Sequence, residues 1–416
     1  MDKIVIEGNQ TLSGKVEISG AKNAVLPIMA ASMLGNGNSV ITRVPDLRDT
    51  RTMIRLLEII GAKCSFSDGK LIVNSSNIDN PEAPYELVKT MRASFYVMGP
   101  LLAKFGEVRV SLPGGCAWGP RPVDFHLKGF EKLGAEIILE SGYIIAKAKK
   151  LKGTEISFDF PSVGATGNIL MAAVMASGKT VIRNAAKEPE IVQLCEYLNL
   201  MGANISGIGS SNIVIEGVEK LDSVKIEIIP DRIEAGTFLI AGALLGEITL
   251  EKVNINHLLS VILKLEDVGC EFINIGDSLT IKPSSIINPV DISTAVYPGF
   301  PTDLQAQWVA LMSLGAGSSV ITDNVYKDRF SHIPELNRLG AKIKVDQNSA
   351  WVKGVDMLKG AQVMSTDIRA SAALIIGGLT AKGITEVNRV YHIDRGYEKI
   401  EEKFSLLGAK INRESA

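Results

Sequence analysis

A six-fold internal repeat constrains the fold of this chain more than any other feature of its sequence. A helix-like segment ending in Gly-Ala or Gly-Cys recurs along the chain, and its marker glycines are Gly61, Gly134, Gly202, Gly269, Gly340 and Gly408. Successive markers are 67 to 73 residues apart. A period this regular indicates an architecture assembled from structural repeats. Glycine at each marker favours the left-handed conformation that commonly ends a helix.

Each repeat contains three kinds of segment. Upstream of each marker a glycine precedes a β-rich run, as in GEITLEKV at 246–253. Downstream of the first five markers lies a hairpin-like pair of alternating segments, as at 63–74. Ahead of the glycine and strand comes a run with hardly any polar face, such as TGNILMAAVMAS at 166–177, and a helix of this kind has to be buried on all sides. The sequence therefore predicts an α/β fold, a two-domain inside-out barrel with three repeats per domain, buried helices and outer sheets.

The two ends of the chain bear on the domain boundaries. The sixth repeat has no room for a hairpin, because the sequence ends eight residues after Gly408, at Ala416. We expect the N-terminal runs KIVIEG (3–8) and GKVEIS (14–19) to supply it. The predicted domains are residues 22–229, which hold repeats 1 to 3, and residues 230–416 completed by residues 1–21.

Charge and composition exclude several classes of protein. The 44 Lys and Arg against 46 Asp and Glu give a net charge of −2, which argues against a nucleic-acid-binding surface. The N-terminus has no signal-peptide core and the apolar runs are too short to span a bilayer, so we expect a cytoplasmic protein without a membrane partner. Cysteines without CxxC spacing and histidines without HxxxH spacing indicate neither disulfides nor zinc. There is also no dinucleotide or P-loop motif, and we expect no metal and no cofactor.

The second repeat holds an extra loop. From strand glycine to marker it spans 28 residues, against 23 to 25 in the other repeats, and the extra length falls in the Gly- and Pro-rich segment 111–124. Such a segment is predicted to be a loop, and loops that interrupt a regular repeat often carry function. Cys116 lies at its centre, five residues before Arg121. A free cysteine is usually a small buried residue, but few apolar residues surround Cys116 in the sequence. We therefore interpret Cys116 as a reactive thiol close to a cation.

Basic residues stand at the predicted N-termini of the buried helices, where the helix dipole disfavours positive charge. They are Lys22, Arg92, Arg232 and Arg369, joined by Arg329 and Arg395 in two strand-to-helix connections. An anionic ligand would explain them, since N-terminal amides and cations together bind phosphate or carboxylate. Ser162, Thr166 and Asp303 stand at similar positions and are explained equally well as helix caps. If the helices of each domain run parallel, all these ends face one cleft that suits a small polyanion.

Longer motifs resemble one known family over essentially the whole chain. They include SGAKNAVLP (19–27), SLPGGCAWGPRPVDFH (111–126), PSVGATGNIL (161–170), FPTDLQAQ (300–307), DIRASAALI (367–375) and YHIDRGYEKIE (391–401). They are similar to the UDP-N-acetylglucosamine enolpyruvyl transferases, which also have a six-repeat inside-out fold. The resemblance implies a transferase that moves the enolpyruvyl group of phosphoenolpyruvate to the 3′-hydroxyl of UDP-N-acetylglucosamine. Phosphate leaves by addition and elimination, in the first committed step of peptidoglycan synthesis.

The resemblance also implies roles for individual residues. Cys116 would protonate C3 of phosphoenolpyruvate and form a covalent adduct with it, and Asp303 would accept the proton of the sugar hydroxyl. Lys22 and Arg395 would be catalytic as well, and Asp367 would be a supporting acid. The residues implied to bind phosphoenolpyruvate are Lys22, Asn23, Arg121, Arg329, Arg369 and Arg395. Those implied to bind UDP-N-acetylglucosamine are Arg92, Arg121, Pro122, Val123, Asp124, Phe125, Ser162, Val163, Asp303 and Val325.

Two alternatives stand beside this interpretation. A 5-enolpyruvylshikimate-3-phosphate synthase would share the fold, the donor and the reaction type, but the loop with Cys116 argues against it. A binding protein that had lost its catalytic groups would lack residues such as Lys22 and Asp303, which are present. The chain departs from some relatives at Phe160, where they carry a basic residue near the nucleotide.

Overall fold

The computed structural model describes residues 2–112 and 123–415. Contacts divide the chain into two compact units. One is Gly20–Ile229, and the other combines Met1–Ser19 with Pro230–Ala416. We refer to them as the central unit and the terminal unit.

The strands of the described residues are short and are numbered in chain order. They are β1 (Lys3–Glu7), β2 (Gly14–Glu17), β3 (Asn38–Thr42), β4 (Lys63–Ser67), β5 (Lys70–Asn74), β6 (Glu82–Ala83), β7 (Glu107–Ser111), β8 (Glu136–Glu140), β9 (Tyr143–Lys147), β10 (Glu155–Ser157), β11 (Lys179–Arg183), β12 (Asn204–Ser206), β13 (Asn212–Glu216), β14 (Lys225–Glu227), β15 (Ile248–Glu251), β16 (Glu271–Ile275), β17 (Ser278–Lys282), β18 (Ile292–Thr294), β19 (Ser318–Asp323), β20 (Lys342–Asp346), β21 (Ser349–Lys353), β22 (Gln362–Met364), β23 (Ile384–Asn388) and β24 (Lys410–Glu414).

The helices fall into an inner and an outer set. They are α1 (Lys22–Ala31), α2 (Arg48–Ile59), α3 (Tyr85–Val88), α4 (Met98–Phe105), α5 (Asp124–Lys132), α6 (Val163–Ala173), α7 (Pro189–Leu200), α8 (Arg232–Leu245), α9 (Leu259–Val268), α10 (Gln305–Met312), α11 (Ile333–Arg338), α12 (Ile368–Thr380) and α13 (Ile400–Leu406). Short 3₁₀ helices cover Ser32–Leu34, Arg92–Val97, Ile255–His257, Thr302–Leu304 and Val390–Arg395.

Every repeat contributes a four-stranded sheet of the same design. In the central unit the strand orders are β14-β3-β5-β4, β6-β7-β9-β8 and β10-β11-β13-β12. The first pair in each sheet is parallel and the next two pairs are antiparallel. The parallel edge strand comes from the end of another repeat, and β14 closes the circle by pairing with β3. This exchange joins three repeats into one closed unit.

The terminal unit repeats the design with strands from both ends of the chain. Its sheets have the orders β2-β15-β17-β16, β18-β19-β21-β20 and β22-β23-β1-β24. Strand β1 pairs antiparallel with β23 and β24, and so it completes the sixth repeat. The expectation that the GKVEIS run also belongs to that hairpin is wrong. Strand β2 is the parallel edge of the fourth repeat's sheet, next to β15, because the hairpin partner of β1 is β24.

The inner helices are apolar almost all round and lie in the cores. In the central unit they are α1, α4 and α6, and in the terminal unit they are α8, α10 and α12. Eleven residues of α8 are buried, from Ile233 to Ala243, and every residue of α10 is buried. The outer helices α2, α5, α7, α9, α11 and α13 end at the markers, where the six glycines have φ between 94° and 111°. The predicted inside-out α/β fold, with buried helices and outer sheets, is confirmed.

Within the described residues, we find no helix that combines the length and the apolar character needed to cross a membrane.

Candidate functional site

The terminal unit brings three of the predicted site residues into direct contact. Asp303 lies in the 3₁₀ helix just before α10, and its two carboxylate oxygens accept hydrogen bonds from different arginines. Arg329 Nη1 is 2.7 Å from Oδ1 and Arg369 Nη2 is 2.6 Å from Oδ2. The arginine side chains are 9% and 8% exposed, and that of Asp303 is 23% exposed. We call Asp303, Arg329 and Arg369 the Asp303 clamp.

The charges of the Asp303 clamp determine the protonation of the acid. Burial alone would raise the pKa of Asp303, but the guanidinium groups of Arg369 and Arg329 lower it well below its ordinary value. The carboxylate is therefore ionised at neutral pH. The sequence left two explanations open for Asp303, helix capping and a role in ligand binding. Its oxygens accept hydrogen bonds from guanidinium groups and cap no helix, so the capping explanation is wrong.

Two nitrogens beside the clamp are buried and have unused hydrogen-bonding capacity within the described residues. Arg329 Nε and His332 Nε2 are shielded from solvent, and neither has a hydrogen-bond partner within residues 2–112 and 123–415. Burial lowers the pKa of His332 to about 4, although the Asp367 carboxylate opposes this shift. His332 is therefore neutral at neutral pH. A buried guanidinium N–H without a partner is costly, and an anion would satisfy it.

Asp367 has a structural task as well as a place near the clamp. Its Oδ1 accepts from the backbone N–H groups of Arg369 and Ala370, at 2.8 and 3.2 Å, and so it caps α12. Capping by a carboxylate stabilises the first turn of a helix. That turn carries Arg369, so the cap orients one arginine of the clamp.

Asp323 is a site-forming residue that the sequence analysis missed. It is fully buried at the end of β19, and its Oδ1 accepts from Val325 N (2.9 Å) and Tyr326 N (2.8 Å). Its Oδ2 accepts from the hydroxyl of Thr302 at 2.6 Å. Thr302 in turn accepts from Arg329 Nη1 at 3.1 Å. Asp323 thus fixes Val325 and the residue before Asp303. An acidic residue at the end of a buried strand was the available signal.

Lys22 has a buried acidic partner in the central unit. It begins α1, and its Nζ lies 2.9 Å from Oδ2 of Asp49 in α2. The two side chains are 11% and 4% exposed. Asp49, a second residue that sequence reasoning missed, offsets the unfavourable position of Lys22 at a helix N-terminus. Asn23 follows in the same first turn of α1.

A buried hydrogen-bond cluster lies beside Arg92. Asn168 Nδ2 lies 2.8 Å from the carbonyl oxygen of Phe95 and 3.0 Å from Nδ1 of His126, and its Oδ1 accepts from Gly99 N at 2.8 Å. Burial and the charge of Arg92 lower the pKa of His126 to about 3, so the ring is neutral and Nδ1 can accept. Asn168 therefore fastens α5 to α6 and to the 3₁₀ helix that begins at Arg92. His126, which the sequence analysis did not single out, is part of this buried cluster.

The other predicted nucleotide-sugar residues of the central unit lie on two helix starts. Ser162 caps α6 by accepting from Ala165 N at 3.3 Å, so its capping role is confirmed, and Val163 begins that helix. Asp124 begins α5 after Val123. Its Oδ1 is buried and has no hydrogen-bond partner among the residues described. Such an acceptor fits a hydroxyl or N–H donor of a ligand.

Two more expectations at helix starts concern Thr166 and Arg232. The hydroxyl of Thr166 accepts from Ala186 N at 3.1 Å, which is a structural contact in the core. The guanidinium of Arg232 lies over the ring of Tyr297, 5.6 Å from its centroid. An aromatic face stabilises a cation by itself.

Cys116, Arg121 and Pro122 lie outside the described residues. The structure describes the other three cysteines, which are Cys64, Cys195 and Cys270. Burial raises the pKa of Cys64 and of Cys195 to about 12, and it also raises that of Cys270. A protonated thiol is a poor nucleophile, so these three are structural. In residues 2–112 and 123–415, no three His, Cys, Asp or Glu side chains are grouped as metal ligands would be.

Comparison with known proteins identifies the relatives of this chain. The sequence profile of the family described as EPSP synthase (3-phosphoshikimate 1-carboxyvinyltransferase) matches residues 6–404. UDP-N-acetylglucosamine 1-carboxyvinyltransferase 2 of Carboxydothermus hydrogenoformans is 55% identical over 418 residues, which cover 100% of both chains. A UDP-N-acetylglucosamine 1-carboxyvinyltransferase of Chloroherpeton thalassium is also 55% identical, over 100% of this chain and 98% of its own length.

Solved structures agree with these sequence matches. The enolpyruvyl transferase NikO from Streptomyces tendae superimposes with a TM-score of 0.90 at 26% identity, covering 100% of this chain and 99% of its own. An EPSP synthase from Acinetobacter baumannii superimposes with a TM-score of 0.78 at 18% identity over 100% of both chains. The second match shows the shared fold alone.

Proposed function

This chain belongs to the UDP-N-acetylglucosamine 1-carboxyvinyltransferases, a branch of the enolpyruvyl transferase family, and we propose on that premise that it transfers the enolpyruvyl group of phosphoenolpyruvate to the 3′-hydroxyl of UDP-N-acetylglucosamine. Phosphate is released, and the reaction is the first committed step of peptidoglycan synthesis, in the cytoplasm. Relatives with that name match at 55% identity over the whole chain. The shikimate-pathway alternative is supported by the profile match and by a fold match at 18% identity, which are weaker than full-length relatives at 55% identity.

The Asp303 clamp is the observation that carries the proposal. One ionised carboxylate holds two buried guanidinium groups in place at 2.6 and 2.7 Å. One of these groups has a buried N–H without a partner in the described part of the chain. Guanidinium groups bind carboxylate and phosphate through paired hydrogen bonds, and phosphoenolpyruvate carries both anions. The clamp therefore places a proton acceptor beside cations suited to that substrate.

In the proposed reaction, Asp303 takes the proton of the 3′-hydroxyl of the sugar, and the oxygen of that hydroxyl adds to C2 of phosphoenolpyruvate. Cys116 donates a proton to C3, which gives a tetrahedral adduct that still carries phosphate. The Cys116 thiolate then takes a proton back from C3 while the bond from C2 to the phosphate oxygen breaks, which restores the double bond, and the proton held by Asp303 leaves with the phosphate. General acid and base catalysis of this kind contributes about 10²- to 10⁴-fold to a rate. Asp367 supports the site as a second acid.

The anionic substrate is assigned to the basic residues and Asn23. Lys22, Arg121 and Arg395 hold its phosphate, and Arg329 and Arg369 hold its carboxylate. In an alternative addition, the Cys116 sulfur bonds to C2 of phosphoenolpyruvate and the thiol proton goes to C3, which gives a covalent adduct. Stabilisation of anionic charge by fixed cations is usually a large part of catalysis at such sites.

The nucleotide sugar is assigned to the starts of α5 and α6 and to the turn held by Asp323. It contacts residues Arg92, Arg121, Pro122, Val123, Asp124, Phe125, Ser162, Val163, Asp303 and Val325. Two groups support this assignment: Asp124 Oδ1, which has no hydrogen-bond partner in residues 2–112 and 123–415, and the neutral His126 beside Arg92, because the fold orients both. For the domains, we propose the division into residues 22–229 and residues 1–21 with 230–416.

The experiment that tests the function measures phosphate release from phosphoenolpyruvate. UDP-N-acetylglucosamine and shikimate 3-phosphate are offered separately as acceptors. We expect release with the nucleotide sugar alone. Release with shikimate 3-phosphate alone would show that the proposed acceptor is wrong. Release with neither acceptor would favour a binding protein with this fold.

A further inference from the structure

A buried polar network lies beneath the Asp303 clamp. Thr237 of α8 and Gln307 of α10 are 0% exposed, and Tyr397 is 2% exposed. The hydroxyl oxygens of Tyr397 and Thr237 are 2.7 Å apart, and Gln307 Nε2 lies 3.1 Å from each of them. We call these three side chains the Tyr397 network. None of them was singled out by the sequence analysis.

The direction of each hydrogen bond in the network follows from counting hydrogens. Thr237 donates its only hydroxyl hydrogen to the carbonyl of Ile233 at 2.8 Å, so its oxygen can only accept. Tyr397 must therefore donate its hydroxyl hydrogen to Thr237. Gln307 Nε2 has two hydrogens, of which one goes to the carbonyl oxygen of Asp303 at 3.1 Å and the other to the two hydroxyl oxygens. The arrangement permits one pattern of donors and acceptors.

Two candidate site residues, Asp303 and Arg369, contact this network, and a third, Arg395, is close to it in the sequence. Gln307 holds the backbone carbonyl of Asp303. The ring of Tyr397 faces the guanidinium of Arg369, whose central carbon is 5.9 Å from the ring centroid. Tyr397 also follows Arg395 by two residues, and its backbone N–H donates to the carbonyl of Ile393 at 3.0 Å. A rotation of the Tyr397 side chain would therefore disturb its contacts with Gln307, which holds Asp303, and with Arg369.

We propose that Tyr397 and Gln307 are positioning residues that hold Asp303 and Arg369 in their relative arrangement for the reaction. This inference rests on the proposed function. Stability does not account for the network, because apolar residues of the same shape could fill the core without hydrogen bonds. The hydrogen bonds of this buried network instead favour one geometry, although Gln307 Oε1 has no hydrogen-bond partner within the described residues. Misplacing catalytic groups by about 1 Å is enough to cost about 100-fold in rate.

The test compares two tyrosines that differ in their surroundings. Tyr397→Phe keeps the ring and removes the hydroxyl. Tyr197→Phe makes the same change in the central unit, where a fully buried Tyr197 donates to Ser39 Oγ at 3.1 Å. We expect the two variants to lose similar amounts of thermal stability. Tyr397→Phe should lower kcat roughly 10- to 100-fold, whereas Tyr197→Phe should leave kcat at the wild-type value.

A pH profile separates positioning from a general loss of structure. Arg369 helps to lower the pKa of Asp303, so a displaced Arg369 lets that pKa rise. The acid limb of kcat/KM should then move to higher pH in Tyr397→Phe and stay in place in Tyr197→Phe. Thr237→Val, which removes the acceptor of the Tyr397 hydroxyl, is the second variant and should shift the limb in the same direction.

The outcomes distinguish this inference from the function on which it rests. An active wild type with an unchanged kcat and acid limb in Tyr397→Phe overturns the positioning role alone. If Tyr397→Phe does not fold, the kcat and the acid limb of Thr237→Val test the positioning role instead. A wild type that releases no phosphate with UDP-N-acetylglucosamine overturns the proposed function, and the positioning role falls with it.

Discussion

Replacing Asp303 with asparagine tests both the stability and the chemistry of the Asp303 clamp. The variant keeps the shape of the side chain and removes its charge. Two guanidinium groups, each less than a tenth exposed, then lose their common counter-ion. At an effective dielectric of about 20, a unit charge pair about 4 Å apart is worth about 4 kcal/mol. Removing one partner of a buried pair typically costs about 3–5 kcal/mol, and we expect the free energy of unfolding to fall by that amount.

Turnover of the variant should fall further than stability explains. An amide cannot accept the proton of the sugar hydroxyl, so kcat should drop at least about 10²-fold. The released guanidinium groups should bind inorganic phosphate more tightly than in the wild type. Denaturant unfolding followed by circular dichroism, phosphate release and calorimetric titration with phosphate measure the three effects.

Glu234→Gln is the matched control for this experiment. Glu234 is a carboxylate of the same unit, 3% exposed, which accepts from Lys403 Nζ at 2.7 Å and from Ser19 N at 2.6 Å. We expect it to lose stability and to keep its kcat at a temperature where it is folded. A near-normal kcat in Asp303→Asn would refute the role of Asp303 as base. Unchanged stability would show that the clamp contributes nothing net to folding.

Three further predictions concern the central unit. Cys116→Ser should lose turnover and still bind UDP-N-acetylglucosamine in calorimetry; unchanged turnover would remove the thiol as the acid. Burial lowers the pKa of His126 from 6.5 to about 3, so unfolding takes up a proton and stability falls as pH drops below 6.5. This group should cost about 2 kcal/mol between pH 7 and pH 5, a loss that unfolding curves of His126→Gln should lack. Gly164→Ala would place a Cβ 3.2 Å from the His126 ring, which Asn168 holds, and should raise KM for the nucleotide sugar more than KM for phosphoenolpyruvate.

Repetition made the fold readable from the sequence. The left-handed conformation at the end of a helix is unfavourable for most residues other than glycine, so each marker glycine predicts a helix end. All six marker glycines have positive φ in the structure. The inner helices were equally visible, because a run without a polar face can only be buried. Strand β2 was assigned to the wrong sheet, because alternation in a short strand shows which face is buried but does not name the neighbouring strand.

The residue types of the site also follow from the sequence, whereas their partners do not. The basic residues at helix starts and the Cys116 loop stand out because they break local rules of dipole and repeat length. Only the tertiary structure decided that Asp303 joins Arg329 and Arg369 and caps no helix. Thr237 and Tyr397 meet Gln307, four residues after Asp303, from segments far apart in the chain, and such contacts depend on how the helices pack together. A sequence lists the charged and polar groups, and packing decides which of them meet.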